Sequence, residues 1–363
     1  MVSRRNGEID FFRFIFAILV VFYHFNSNFK FEFFVNGYIG VEFFFVVSGY
    51  LMARHVSLRY VDTRDLNIIA DETWSYLLNK TKSFYSYYIS VILLQVIVRN
   101  IIVNHSGIAK LGYSFLQSIP TFTLTFMGLN GSAGFYVGNT WYLSAMLIAI
   151  FLLYPLLLRN YKFSVEIVFP FFSLFILGYL LATNNSIDNW QGWSGLLLFG
   201  VLRAVAEMAL GGSLFQLSQV IGKERPLILI SNKPLTRVIV TIFKVFCYSV
   251  VILFAYGKLF GEEFKPSFGL HALLFCSIGI LLSFSNAGYC IPDGKITRYL
   301  GKISLPIFIY HGFIRWTVWD YIGHSISAKL FAALIFLSVI ASVALMYLTD
   351  FISPKLKRLY AKL

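Results

Sequence analysis

The sequence predicts an all-α protein, a polytopic bundle of transmembrane helices. Three observations carry this expectation. Of 363 residues, 58% are hydrophobic and only 13% are charged, and the mean hydropathy is +0.73, far from the balance of a soluble domain. Apolar runs near the length of about 20 residues that a bilayer crossing needs recur along the whole chain. Most of the charges fall between those runs.

The runs give about ten spans: 9–27, 38–53, 83–103, 139–158, 164–182, 195–217, 236–256, 268–286, 297–320 and 328–350. The first begins near Ile9 with no small-residue cleavage site after it, so it reads as a true span rather than a signal peptide. Segment 111–128 is apolar but interrupted by Pro120 and threonines, and is expected to be re-entrant or interfacial on the outer side. No internal repeat stands out. The loops leave no room for a separate soluble domain, so residues 1–363 read as a single integral-membrane domain. Cys247, Cys276 and Cys290 lack metal or redox spacing, so they read as packed free thiols and no metal is expected.

Loop charges orient the bundle. Arg4 and Arg5 precede the first span; Arg54, Arg59, Arg64, Lys80 and Lys82 follow the second. Later alternate loops carry Arg159 and Lys162, then Lys223, Arg225, Lys233 and Arg237, then Lys295 and Arg298, and the tail carries Lys355, Lys357, Arg358 and Lys362. The opposite loops hold only Lys30, Lys110, Lys258, Lys265 and Lys329. By the positive-inside rule both termini are expected in the cytoplasm. The net charge of +13 is then a topology signal, and nucleic-acid binding is not needed to explain it.

One stretch of the first span invites a functional reading. "RFIFAILVVFYH" puts Arg13 and His24 at the two ends of ten residues whose only polar atom is the Tyr23 hydroxyl. Eleven residues at 1.5 Å each separate the two by about 16 Å along a helix axis, and about three full turns bring them to one face. A membrane-embedded arginine costs of order 3 kcal/mol on insertion scales, so such residues usually face a bundle interior or cavity. A snorkelling Arg13 and an interfacial His24 bonded to a carbonyl are the bland alternative. In the second span, "GYIGVEFFFVVSGYLMARH", Glu42 falls at about the depth of His24. It could accept an imidazole N–H and support His24 as a general base. Ser48, Gly49 and Tyr50 lie deeper, and the small Ser48–Gly49 step permits close approach of a helix or ligand.

Other residues have two readings each. Asn139, Trp141 and Tyr142 sit at an outer boundary, as aromatic-belt residues or as acceptor ligands. Arg203 and Glu207, four apart in the sixth span, form an internal ion pair or line a cavity. His311 falls in the outer half of the ninth span and could join His24. His55, His105, His271 and His324 have no evident partners and read as structural or loop residues; Lys244 requires a carboxylate that the sequence does not identify.

Arg13-x10-His24 followed by "GVEFFFVVSGYLMA" resembles the membrane acyltransferase-3 family. "NTWYLSAMLIAIFLLYP" (Asn139–Pro155) is similar to that family's tryptophan-containing span, and "LGKISLPIFIYHGFI" (Leu300–Ile314) to its late S-x-x-x-Y-x-x-H span. The resemblance covers nearly the whole chain. Two features depart from it. The family often opens its third span with two arginines and a proline, where this chain has "NKTKSFYSYYI", and the tryptophan motif often leads to a glutamate, where this chain has Met146. Lysine keeps the charge but not the bidentate fork of arginine.

The resemblance implies transfer of an acyl group, most often acetyl from cytosolic acetyl-CoA, onto hydroxyls of cell-surface or extracellular glycans. It implies a bacterial inner membrane as location. On that reading Arg13, Lys80 and Lys82 clamp the donor's phosphates, and Ser48 and Tyr50 line its path. His24 acts as base or acyl carrier, oriented by Glu42. Asn139, Trp141, Tyr142, Arg203, Glu207 and His311 are then the acceptor-side candidates. Two other classes compete. A transporter or flippase for a lipid-linked saccharide fits the helices and buried charges equally well. A glycan polymerase or ligase usually needs a larger outer segment than the modest 104–138 here.

Overall fold

The computed structural model describes residues 5–29, 33–129, 138–223, 233–259, 261–322 and 326–360. Arg4, Lys30, Arg225, His324 and Lys362 lie outside the described residues.

A helix covers each of the ten expected spans. They are α1 (Gly7–Phe29), α2 (Ile39–Arg59), α4 (Tyr85–Leu94, continued by a π-helical stretch Gln95–Val103), α8 (Trp141–Arg159), α9 (Tyr161–Asn184), α10 (Phe199–Lys223), α11 (Pro234–Tyr256), α12 (Phe268–Phe284), α13 (Lys295–Ile322) and α14 (Ala328–Tyr360). Among the described residues, six helical stretches are long and apolar enough to cross a membrane, in α2, α4, α8, α9, α11 and α14. The shorter apolar α12 has 17 residues. Among the described residues, strand is confined to two ribbons of two residues a side, Trp193–Ser194 with Leu197–Leu198 and Lys258–Leu259 with Glu262–Glu263.

Between α2 and α4 runs α3 (Leu66–Lys82), which the span pattern does not predict. Asp65 caps it, accepting the Asn67 N–H at 2.9 Å and so satisfying one of its unpaired amides. Segment 111–128 breaks into α5 (Ile108–Gln117), α6 (Ile119–Phe122) and α7 (Phe126–Leu129), with Pro120 in the first turn of α6. None of the three is long enough to span.

The bundle is layered. α2 packs along α10 and α1 along α13, with α8 against α10 and α2. Glycines set the α2–α10 crossing. A Cβ at Gly49 would lie 1.9 Å from the Met208 carbonyl oxygen, and one at Gly211 would lie 2.0 Å from that of Val46. The close approach expected of Ser48–Gly49 is therefore made, and the partner is α10. α9 and α11 instead expose Leu174, Phe175, Ile239 and Ile242, the outward face a membrane helix offers to lipid.

Candidate functional site

Among the described residues, three assemblies of buried polar groups bear on the site. The first centres on Arg203 of α10, whose side chain is fully buried. It donates to Glu42 of α2 at 2.5 Å and to Asp188, in the connection before α10, at 3.0 Å. Its third carboxylate is Glu207, one turn on, at 3.4 Å. The Trp141 and Tyr38 rings lie 5.4 and 5.8 Å from the guanidinium, and Tyr23 donates to Asp188 at 2.9 Å. The pairing of Glu42 with His24 expected from depth is therefore not formed. Neither Glu42 oxygen bonds the imidazole; one meets Arg203 and the other has no partner among the described residues. The physical reason is charge. A carboxylate with no solvent exposure needs a full counter-charge, which a guanidinium supplies and a neutral imidazole does not. The internal ion pair is the reading of Arg203 and Glu207 that the geometry matches.

The second assembly explains Lys244. Its ammonium donates to Glu8 of α1 at 2.9 Å and to the Ala287 and Tyr289 carbonyls at 3.1 and 3.0 Å. The carboxylate missing from the sequence reading lies 236 positions away.

The third assembly lines a path along α1. Near its start, Asp10 holds Arg5 and, at 3.6 Å, Arg13. Arg13 forms one wall of a narrow cavity of about 120 Å³ with Lys80, Ser48, Tyr142, Phe44 and Phe308. Burial and the neighbouring Arg13 charge push the Lys80 ammonium down to about 8. The Ser48 hydroxyl lies 3.5 Å from that of Tyr142. At the far end the rings of Phe44, Tyr142 and Phe308 close together, with centroids 5.3 to 6.1 Å apart. Beyond them is His311, 5.9 Å from Phe308 and stacked on His24 at 5.1 Å.

His311 is fully buried. Its Nδ1 lies 3.1 Å from the Ile307 carbonyl, which can only accept, so that nitrogen carries the proton. The Nε2 lone pair has no hydrogen-bond partner among the described residues. Arg315, one turn after His311, donates to the His24 backbone carbonyl at 2.9 Å. An imidazole with one nitrogen pinned offers its other lone pair as a hydrogen-bond acceptor.

The sequence candidates divide accordingly. Arg13, Lys80, Ser48 and Tyr142 meet in one cavity, and His24 meets His311, whose ring lies 5.9 Å from that of Phe308 on the cavity wall. Tyr142, expected on the acceptor side, is a wall of the Arg13 cavity. Tyr50 is elsewhere: it stacks on Phe284 at 3.9 Å and bonds Ser218 at 3.0 Å. Lys82 is exposed and outside the cavity wall. Trp141 is buried against Trp190 rather than turned to a lipid belt. Asn139 donates to the Phe308 carbonyl at 2.7 Å, and so holds the turn that carries His311. Sequence reasoning missed Arg315, although a cation four residues after His311 shares its helix face. It also missed His55, which lies in a cleft behind Lys80.

A family model described as an acyltransferase domain matches residues 6–350. No curated protein and no solved structure matches the chain. The matched stretch spans all three assemblies, from Glu8 to His311 and Arg315, on a scaffold of apolar helices. The chain belongs to the membrane acyltransferase-3 family and is an integral membrane acyltransferase.

Proposed function

We propose that the protein takes an acyl group, acetyl in the first instance, from cytosolic acyl-CoA and places it on a hydroxyl of a cell-surface or extracellular glycan. The observation that carries this reading is the single cavity with Arg13 and Lys80 on its walls, closed by the rings against which His311 and His24 stand. The basic loops support a cytoplasmic position for Arg13 and Lys80. There two cations suit the donor's phosphates. A thin pantetheine arm fits the narrow cavity and directs the thioester toward the histidines.

The glycan enters from the opposite side. We take as its entrance an open cleft lined by Tyr23, Tyr38, Asn36, Asn184, Ser186 and Asn189 together with Asp188, whose carboxylate Arg203 already pairs; amides, hydroxyls and aromatic rings of this sort hold saccharides. The Tyr23 ring lies 5.2 Å from that of His24. In the reaction the histidine pair takes the proton of the acceptor hydroxyl. The oxygen attacks the thioester carbonyl, the carbon–sulfur bond breaks, and the imidazolium returns the proton to the departing CoA thiolate. Arg315 adds positive charge near the oxyanion that forms.

Cells expressing wild type and His24→Ala, matched for membrane level, test the reading. Alkali-labile acetyl esters on surface glycans are expected with wild type and not with the variant. A flippase or transporter would move saccharide and leave labelled acetyl-CoA untouched. Ping-pong kinetics would assign an acyl-imidazole route through His24, and a ternary-complex pattern the direct transfer.

A further inference from the structure

The cavity that holds Arg13 has a neighbour on the other side of Lys80. Lys80 and Ser83 are also walls of a second, open cleft of about 440 Å³. Its remaining lining includes His55 and Arg59 from the end of α2, Tyr60, and Glu72, Tyr76 and Asn79 from α3. The sequence spacing explains the wall. His55 and Arg59 are four apart on α2, and Glu72, Tyr76 and Lys80 are successive fours on α3, so each helix presents one stripe to the cleft.

The chemistry of that wall is specific. The His55 and Tyr76 rings lie 4.9 Å apart, and Tyr76 is fixed from behind by stacking on Tyr154 at 4.4 Å. The Glu72 carboxylate is engaged by the Tyr60 hydroxyl at 2.6 Å. Two cations, Arg59 and Lys80, stand at the cleft with the amide of Asn79 between the helices' stripes. A braced aromatic platform beside two cations suits a purine that carries phosphates. The volumes agree: an open cleft of about 440 Å³ shares the walls Lys80 and Ser83 with a smaller cavity of about 120 Å³, as a bulky head next to a thin arm requires.

We propose that this cleft is a nucleotide subsite, which takes the adenosine bisphosphate head of the donor. The purine stacks on the Tyr76 ring with the His55 ring, tilted 55° to it, alongside, and the phosphates lie between Arg59 and Lys80. The identity of the ligand rests on the acyl-CoA reading above; the pocket for a phosphorylated purine does not.

The test uses the full chain in lipid nanodiscs with three probes: adenosine 3′,5′-bisphosphate, acetyl-CoA and acetyl-pantetheine, which lacks the nucleotide. The bisphosphate is expected to bind wild type and to compete with acetyl-CoA. Arg59→Ala and Tyr76→Ala should each weaken bisphosphate binding about tenfold, and Tyr76→Phe, which keeps the ring, should restore it. The kcat/KM advantage of acetyl-CoA over acetyl-pantetheine should shrink by about the same factor. Arg59 is exposed and Tyr76→Phe is conservative, so the result does not hinge on folding. The proposal is overturned if the bisphosphate does not bind, or if Arg59→Ala and Tyr76→Ala bind it as wild type does. If acetyl-pantetheine is a donor while the bisphosphate is ignored, the subsite alone is wrong. If neither acetyl donor is used while the bisphosphate binds at Arg59 and Tyr76, the subsite stands and the acyl-CoA reading falls.

Discussion

Two buried polar assemblies lie on neighbouring helices and are finished differently. Around Arg203, one guanidinium reaches three carboxylates, two aromatic rings cover it, and a tyrosine hydroxyl braces the outermost acid. Around His24 and His311, two imidazoles stack, one His311 nitrogen is pinned to a carbonyl, and the other keeps an open lone pair behind the Phe308 ring. The first arrangement answers its own cation and joins α2 to α10. The second leaves a hydrogen-bond acceptor, His311 Nε2, without a partner among the described residues. Buried charge close to a histidine is therefore not evidence of shared chemistry, and Glu42 shows why: it is spent on Arg203.

The comparison can be broken most sharply at the histidines. His24→Ala and His311→Ala should each reduce acyl transfer by about 10²–10⁴-fold, the range for loss of a general base. The thermal midpoint in detergent should stay near that of wild type. The Arg203 assembly should respond in the opposite sense. Arg203→Ala leaves carboxylates buried without a counter-charge and should cost about 3–5 kcal/mol of stability, read as a lower midpoint and a lower membrane yield. Were Arg203→Ala instead stable and inactive, the cluster would belong to the catalytic machinery.

Smaller effects sharpen the contrast between donor grip and scaffold. Lys80 holds a proton at neutral pH and releases it near pH 8. Because a lysine pKa lowered by burial means charge lost as pH rises, acyl-CoA affinity should fall as pH passes upward through about 8. Lys80→Arg, which stays charged, should flatten that fall in a binding titration. Lys82→Ala, at an exposed position outside the cavity wall, should change donor affinity by less than about 0.5 kcal/mol.

Much of the fold was legible because it rests on local pattern. Each expected span is a helix, and the Arg13–His24 spacing survives on an unbroken α1. What was not legible depends on which helices meet. Depth alone placed Glu42 level with His24, but the choice of partner was made by the glycine-lined α2–α10 crossing, which brings Arg203 within reach. Lys244 had to wait for Glu8 on a helix distant in sequence. His55 looked isolated because its platform partner Tyr76 sits on α3, an amphipathic helix that hydropathy does not reveal. Tyr142 lies in a span whose ends are aromatic on any reading, so only packing assigns it to the donor cavity.

The central claim is that one face of α1 separates donor grip from chemistry by about 16 Å. It is tested most directly by measuring acetyl-CoA binding and acetyl transfer side by side for purified wild type, Arg13→Ala and His24→Ala. The account predicts a split: Arg13→Ala weakens binding, and His24→Ala binds as wild type does but does not transfer. Equal loss of binding in both variants, or normal transfer by His24→Ala, would contradict it.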